Sequence, residues 1–152
     1  MLDIQKGYGG NSSACYADTV DYDKDSIVAP LPALFVPGVW VDGPGGNYTL
    51  AAANGTQTAV QIWEGHEHGI TSGKLTVLKG NYRAATDKVD LGANINAGDP
   101  LTINADGHLI EAGGGHVVVA TCIENWTAPA APGDSYDPIV FEACAPGSRR
   151  TA

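Results

Sequence analysis

His66-Glu67-His68 is the part of this chain best spaced for chemistry. On a strand, positions i and i+2 share a face, so both imidazoles could reach one metal ion. Two ligands do not make a site, however, and the pair reads as a solvated turn. Asp21-Tyr22-Asp23-Lys24-Asp25 begins like a calcium loop. That loop needs Gly at its sixth position and a bidentate Glu at its twelfth; Ser26 and Pro32 stand there. The stretch reads instead as acidic and either solvated or facing a partner. Gly113-Gly114-Gly115 precedes an apolar run rather than a helix, so it lacks the helix N-terminus that would hold a phosphate. Gly-x-Ser-x-Gly is absent, and no local context activates a serine. No catalytic residue, metal or cofactor is expected.

Trp40, Trp63 and Trp126 could stack on sugars. Loop-edge tryptophans more often lid a core or anchor an interface, and that is the expectation here. Cys15, Cys122 and Cys144 form no Cys-x-x-Cys pair and no zinc spacing. They read as buried reduced thiols acting as small hydrophobes. A Cys122–Cys144 disulfide is the other reading.

The elements that must position these residues are short. Residues 1–38 read as an extended arm, because Pro30, Pro32 and Pro37 break regular structure and Gly7, Gly9 and Gly10 give no period. Tyr8, Tyr16, Tyr22, Leu31 and Phe35 recur along it, more apolar surface than a disordered linker carries. These five are the expected contact residues, reaching another subunit or wrapping on the chain's own body. Residues 39–145 read as a β-domain. Strands are expected at Val39–Val41, Tyr48–Ala53, Thr56–Glu64, Lys74–Lys79, Pro100–Asn104, His108–Glu111, Val117–Ile123 and Pro138–Ala143. Asn54-Gly55 and Asp106-Gly107 mark hairpin turns. Val117–Ile123 is continuous in apolar residues, as for a strand buried on both faces. Tyr82–Asp90 is the one helix candidate, short and uncapped. Residues 146–152 read as a frayed C-terminal tail. The fold class expected is all-β, a small barrel- or sandwich-like domain with an extended N-terminal arm.

A chain of 152 residues is one domain by length, and such a domain buries roughly 68–70% of its unfolded surface. With 20 Gly and 9 Pro, many turns and a thin core follow. The net charge of −9 repels phosphate backbones, so no nucleic-acid partner is expected. No run approaches 18 apolar residues, so no spanning helix and no membrane partner are expected. Asn-x-Ser/Thr matches begin at Asn11, Asn47, Asn54 and Asn125. With no apolar stretch in Met1–Lys6, they are expected to be chance.

Between Lys79 and Glu124 the chain resembles the head decoration, or capsid cement, proteins of tailed bacteriophages. The similar features are Tyr82-Arg-Ala-Ala-Thr-Asp87, Ala97-Gly-Asp-Pro-Leu-Thr-Ile103, Asp106-Gly-His-Leu109 and the apolar run from Val117 to Glu124. The resemblance implies a β-rich, non-enzymatic protein that binds the outside of an assembled capsid and bridges coat subunits. Its implied partners are the major capsid protein and further copies of itself, a trimer being favoured. Its implied place is the outer capsid surface of a virion, after synthesis in the host cytoplasm. A carbohydrate-binding or fibre-like virion surface module, using the tryptophans, is the rival reading.

Overall fold

The computed structural model of the protein describes residues 1–7, 15–22, 37–43, 47–64 and 73–152, of which 5–7, 15, 16, 22, 47 and 64 are described by their backbone alone. Eleven strands and no helix are found among these residues: β1 (Leu2–Gly7), β2 (Cys15–Tyr22), β3 (Trp40–Asp42), β4 (Asn47–Leu50), β5 (Val60–Glu64), β6 (Lys74–Gly80), β7 (Tyr82–Thr86), β8 (Pro100–Ile103), β9 (Leu109–Glu111), β10 (Ala120–Cys122) and β11 (Ile139–Ala143). The all-β class expected from short strands and frequent turns holds.

Two sheets share the strands. The larger is open and six-stranded, in the order β1-β7-β11-β10-β8-β9. The other orders β2-β4-β3-β5-β6, and β6 pairs back onto β2 to close a small barrel. Closure runs through a parallel β2–β4 junction of two residue pairs. Each sheet has its own apolar centre. In the barrel, Val41, Val60, Ile62, Leu75 and Val77 pack together, with Val20 and Val39. Alternation in β6 turns Leu75 and Val77 to this centre, as their spacing predicts, while Leu78 joins the other. Under the open sheet, Tyr82, Leu101, Ile103, Leu109, Ile139 and Phe141 form the core, joined by Trp40 and Trp126.

The two turn signals fare differently. Asn54 and Gly55 have positive φ, 71° and 76°, but the turn there is closed by the Gly55 amide on the Ala52 carbonyl (3.3 Å), and β4 and β5 each pair with β3 rather than with one another, so the expected Asn-Gly hairpin does not form. Asp106-Gly107 closes the β8–β9 hairpin, where Asn104 Oδ1 accepts the amides of Asp106 (2.9 Å) and His108 (3.0 Å). Gly107 then accepts the Trp40 amide on its carbonyl at 3.0 Å, so the hairpin tip is sewn to β3.

The N-terminal segment is extended but not strand-free, as the sequence had implied for everything before Val39. β1 pairs with β7 from Leu2↔Thr86 to Gly7↔Tyr82, with an irregularity between Ile4 and Lys6. β2 pairs with β6 over Cys15↔Gly80 to Asp21↔Lys74. Where it is described, the segment therefore belongs to the chain's own sheets. Proline and glycine punctuation conceals this, because strand pairing is a property of the partner strand as much as of local sequence.

Three further expectations are corrected. The helix candidate Tyr82–Asp90 contains β7, held between β1 and β11. Ala84 and Ala85 favour helix intrinsically, but hydrogen bonds to two neighbouring strands outweigh a propensity difference below about 1 kcal/mol per residue. The run Val117–Ile123 yields only the short β10, and while Val118, Val119 and Ala120 are buried, Thr121 and Ile123 are half-exposed. The tail 146–152 is not frayed. Thr151 bridges Val117, and Arg149 is only 6% exposed.

Candidate contact surface

Of the residues expected to make contacts, Tyr8, Leu31 and Phe35 lie outside the described residues, as do His66 and His68. Tyr16 and Tyr22 fall in β2, where their backbones face Lys79 and Tyr48 in register. The surface that can be built residue by residue is the outer face of the open sheet.

Its geometry follows from the period of two. Phe141 pairs with Ala84 and with Cys122, and all three point inward. Their neighbours must then point outward: Arg83, Glu142 and Thr121 stand side by side in one row. Ala85 and Val140 occupy the next row, and the Ile123 amide donates to the Val140 carbonyl at 2.9 Å. Arg83 Nη2 lies 3.7 Å from Glu142 Oε2, a directly opposed pair of opposite charge. Beside that row a shallow groove of about 470 Å³ is lined by Asn81, Thr121, Ile123, Glu142, Cys144 and Ser148, among others. A smaller and more polar hollow of about 180 Å³ lies along Glu124, Asn125, Thr127, Asp137 and Val140. The surface is thus apolar at Ile123 and Val140, polar around them, and rigidly backed by paired strands.

The described thiols and imidazoles are poorly set for reaction chemistry. Cys122 and Cys144 are free thiols, the first buried and the second half-buried, so no disulfide joins them. Burial pushes both thiols up from their ordinary value, against partial relief at Cys144 from Arg149 and Arg150. A thiol held neutral is a weak nucleophile. His108 is pushed down from its ordinary value, first by burial and then by the Lys88 charge. His116 Nδ1 accepts the Gly113 amide at 3.1 Å, a turn-closing role. Among the described residues, no group of three or more His, Cys, Asp or Glu side chains could hold a metal ion. No helix among the described residues is long and apolar enough to cross a membrane.

Trp40 and Trp126 fall as the packing reading expects. Trp40 is 1% exposed and Trp126 4%. Trp126 donates its indole Nε1–H to the Asp137 carbonyl at 2.7 Å and meets Tyr136 edge-on at 6.2 Å. Trp63 is half-buried against the open sheet's core. Two of the three faces are therefore closed to a sugar ring.

Sequence reasoning missed Arg149. Its guanidinium donates from Nε to the Cys144 carbonyl (3.1 Å) and from Nη1 to the Thr56 carbonyl (2.9 Å), and lies 5.6 Å over the Trp40 ring. Burial lowers its pKa below the usual arginine value, though it remains a cation. Only its position in an apparent tail hid it; no periodic signal marks it. Gln61 was also missed, because a glutamine between Val60 and Ile62 reads as the outward residue of a strand, yet it is fully buried.

Comparison with protein-family models and with curated proteins finds no match to this chain.

Proposed function

We propose that the protein is a structural, non-enzymatic virion component of the capsid-decoration class, which binds the outer surface of an assembled phage capsid and bridges its coat subunits. One observation carries the reading. The stretch that resembles the decoration proteins, Lys79 to Glu124, supplies β7, β8, β9 and β10 of the open sheet, and so builds the exposed face around Thr121 and Ile123. A rigid sheet with a half-apolar outer face suits a surface that docks without changing shape. The net charge of −9 suits a protein that must stay dispersed before docking and then meet a basic surface.

The energetic logic is mass action. Packed DNA pushes outward on a shell, and a protein that binds only the intact shell stabilises it in proportion to its occupancy. Self-association, with a trimer favoured, multiplies modest contacts through avidity. Major capsid protein and further copies of this chain are its partners; nucleic acid and membrane are not. It resides on the outside of the virion.

The test is co-sedimentation of the purified protein with assembled capsids stripped of decoration, beside unassembled coat protein. Binding to assembled shells alone, with a rise in their disruption temperature, is the expected result. No binding to shells, or equal binding to free coat subunits, refutes the proposal.

A further inference from the structure

The strap from Ala145 to Ala152 is held unlike the rest of the fold. It carries no large apolar side chain, and Arg149 is its one fully buried residue. Its attachment is polar. The Val118 amide donates to the Arg150 carbonyl (2.9 Å), the Ala152 amide to that of His116 (2.8 Å), and the Gly115 amide to that of Ala152 (3.0 Å). Gly147 donates to the Gln57 carbonyl at 2.7 Å. Gln57 completes the attachment by donating from Nε2 to the Arg149 carbonyl (2.6 Å) and accepting the Arg149 amide on Oε1 (2.9 Å). Among the described residues no carboxylate forms an ion pair with the Arg149 guanidinium, which rests on two carbonyls and the Trp40 ring. Segments with few buried apolar contacts open at a lower free energy than the whole molecule.

We infer that residues 147–152 form a lid that opens as one unit about Pro146–Gly147 while both sheets stay folded, with Arg149 as its latch; Ala145, before the hinge, stays fixed by its amide on Asn81 Oδ1 at 2.8 Å. Gly147 has φ of 88°, the left-handed turn that folds the strap back onto the body. Closed, the strap occupies the backbone edge of 115–118. Open, it bares that edge, and covering such an edge is how native folds keep it from pairing with other chains. Arg149 is the latch because its contacts converge from three places: Thr56 after β4, Trp40 in β3 and Cys144 after β11.

Native-state amide hydrogen exchange on the full chain tests the lid, comparing the natural sequence with Arg149→Lys. The amides of Gly115, Val118, Gly147, Arg149 and Ala152 are expected to exchange as a group, faster than the ladder amides of β7 and β11. Lysine cannot reproduce the two-carbonyl fork and the ring contact, so it should speed that group by about tenfold and leave the β7 and β11 rates unchanged. Exchange of the strap amides at the rate of the β7 and β11 amides in the natural protein would overturn the inference. So would a variant that accelerates every amide equally. Trypsin provides a second readout: cleavage after Arg149 or Arg150 should precede any cut within the strands, and simultaneous digestion throughout overturns the lid.

Discussion

Tyr82 of β7 donates its hydroxyl hydrogen to Gln61 Oε1 of β5 at 2.8 Å, inside the protein and across the boundary between its two sheets. Gln61 in turn donates from Nε2 to the Gly38 carbonyl at 2.8 Å. A buried amide with both ends bonded stabilises one relative placement of the sheets, because any other leaves a polar group dry and unpaired.

Tyr82→Phe should therefore lower stability by about 1–3 kcal/mol, the range for leaving a buried acceptor unsatisfied. The Phe141 contact, edge-on at 6.1 Å, survives in the variant, so the loss reports the hydroxyl. Urea denaturation followed by tryptophan fluorescence measures it; an unchanged midpoint would show that Gln61 finds another partner.

Gly107→Ala should also destabilise, by more than about 1 kcal/mol. Gly107 has φ of 75°, and an added Cβ would lie 2.8 Å from Val39 Cγ1 and 2.9 Å from the Trp40 carbonyl oxygen. Gly98→Ala is the control: its φ of 93° also lies where side chains strain the backbone, but nothing lies within 4 Å of the new methyl. A larger loss at Gly107 than at Gly98 isolates the packing between the hairpin tip and β3.

Stability should fall between neutral and mildly acidic pH through His108. Its pKa in the fold is below the usual 6.5, chiefly because burial disfavours the cation. The unfolded chain therefore binds more protons in the window from 6.5 down to the folded value, and stability is lost as pH falls through it. His108→Gln should flatten that part of the curve. Denaturation midpoints at pH 7.5, 6.5 and 5.5 read the effect directly, and identical slopes in the two proteins would remove His108 as the cause.

Alkylation should distinguish the thiols. Cys122 is buried, and its Sγ donates to the Glu124 carbonyl at 3.0 Å, while Cys144 lies at the groove rim. Burial holds both of these thiols neutral, so in the folded protein iodoacetamide should react slowly with each, and with Cys144 before Cys122. Site-resolved mass spectrometry checks the order; faster labelling at Cys122 contradicts the packing of β10.

If the outer sheet face is the capsid contact, Val140→Asp and Thr121→Arg should each weaken shell binding at least tenfold while leaving the thermal midpoint within a few degrees. Both side chains are half-exposed, so substitution there leaves the core intact. Undiminished binding by both variants moves the contact elsewhere on the molecule.

The sequence alone determined the β class, the Asp106-Gly107 hairpin and the inward residues of β5, β6, β8 and β11. These features are local: a period of two selects the inward residues, as at Ile139 and Phe141, and Gly107, at φ of 75°, accepts the left-handed turn position cheaply. Tertiary structure alone decided how the strands beyond the β8–β9 hairpin pair. It drew β1 and β2 out of an apparent arm, converted the Tyr82 segment from helix candidate to central strand, and fastened an apparent tail through Arg149. Those outcomes depend on backbone groups far apart in the chain satisfying one another, and the residues involved carry no mark of their partners. Gln61 and Arg149 look like surface residues in sequence because polarity predicts exposure only until a fold supplies each buried polar atom with a partner.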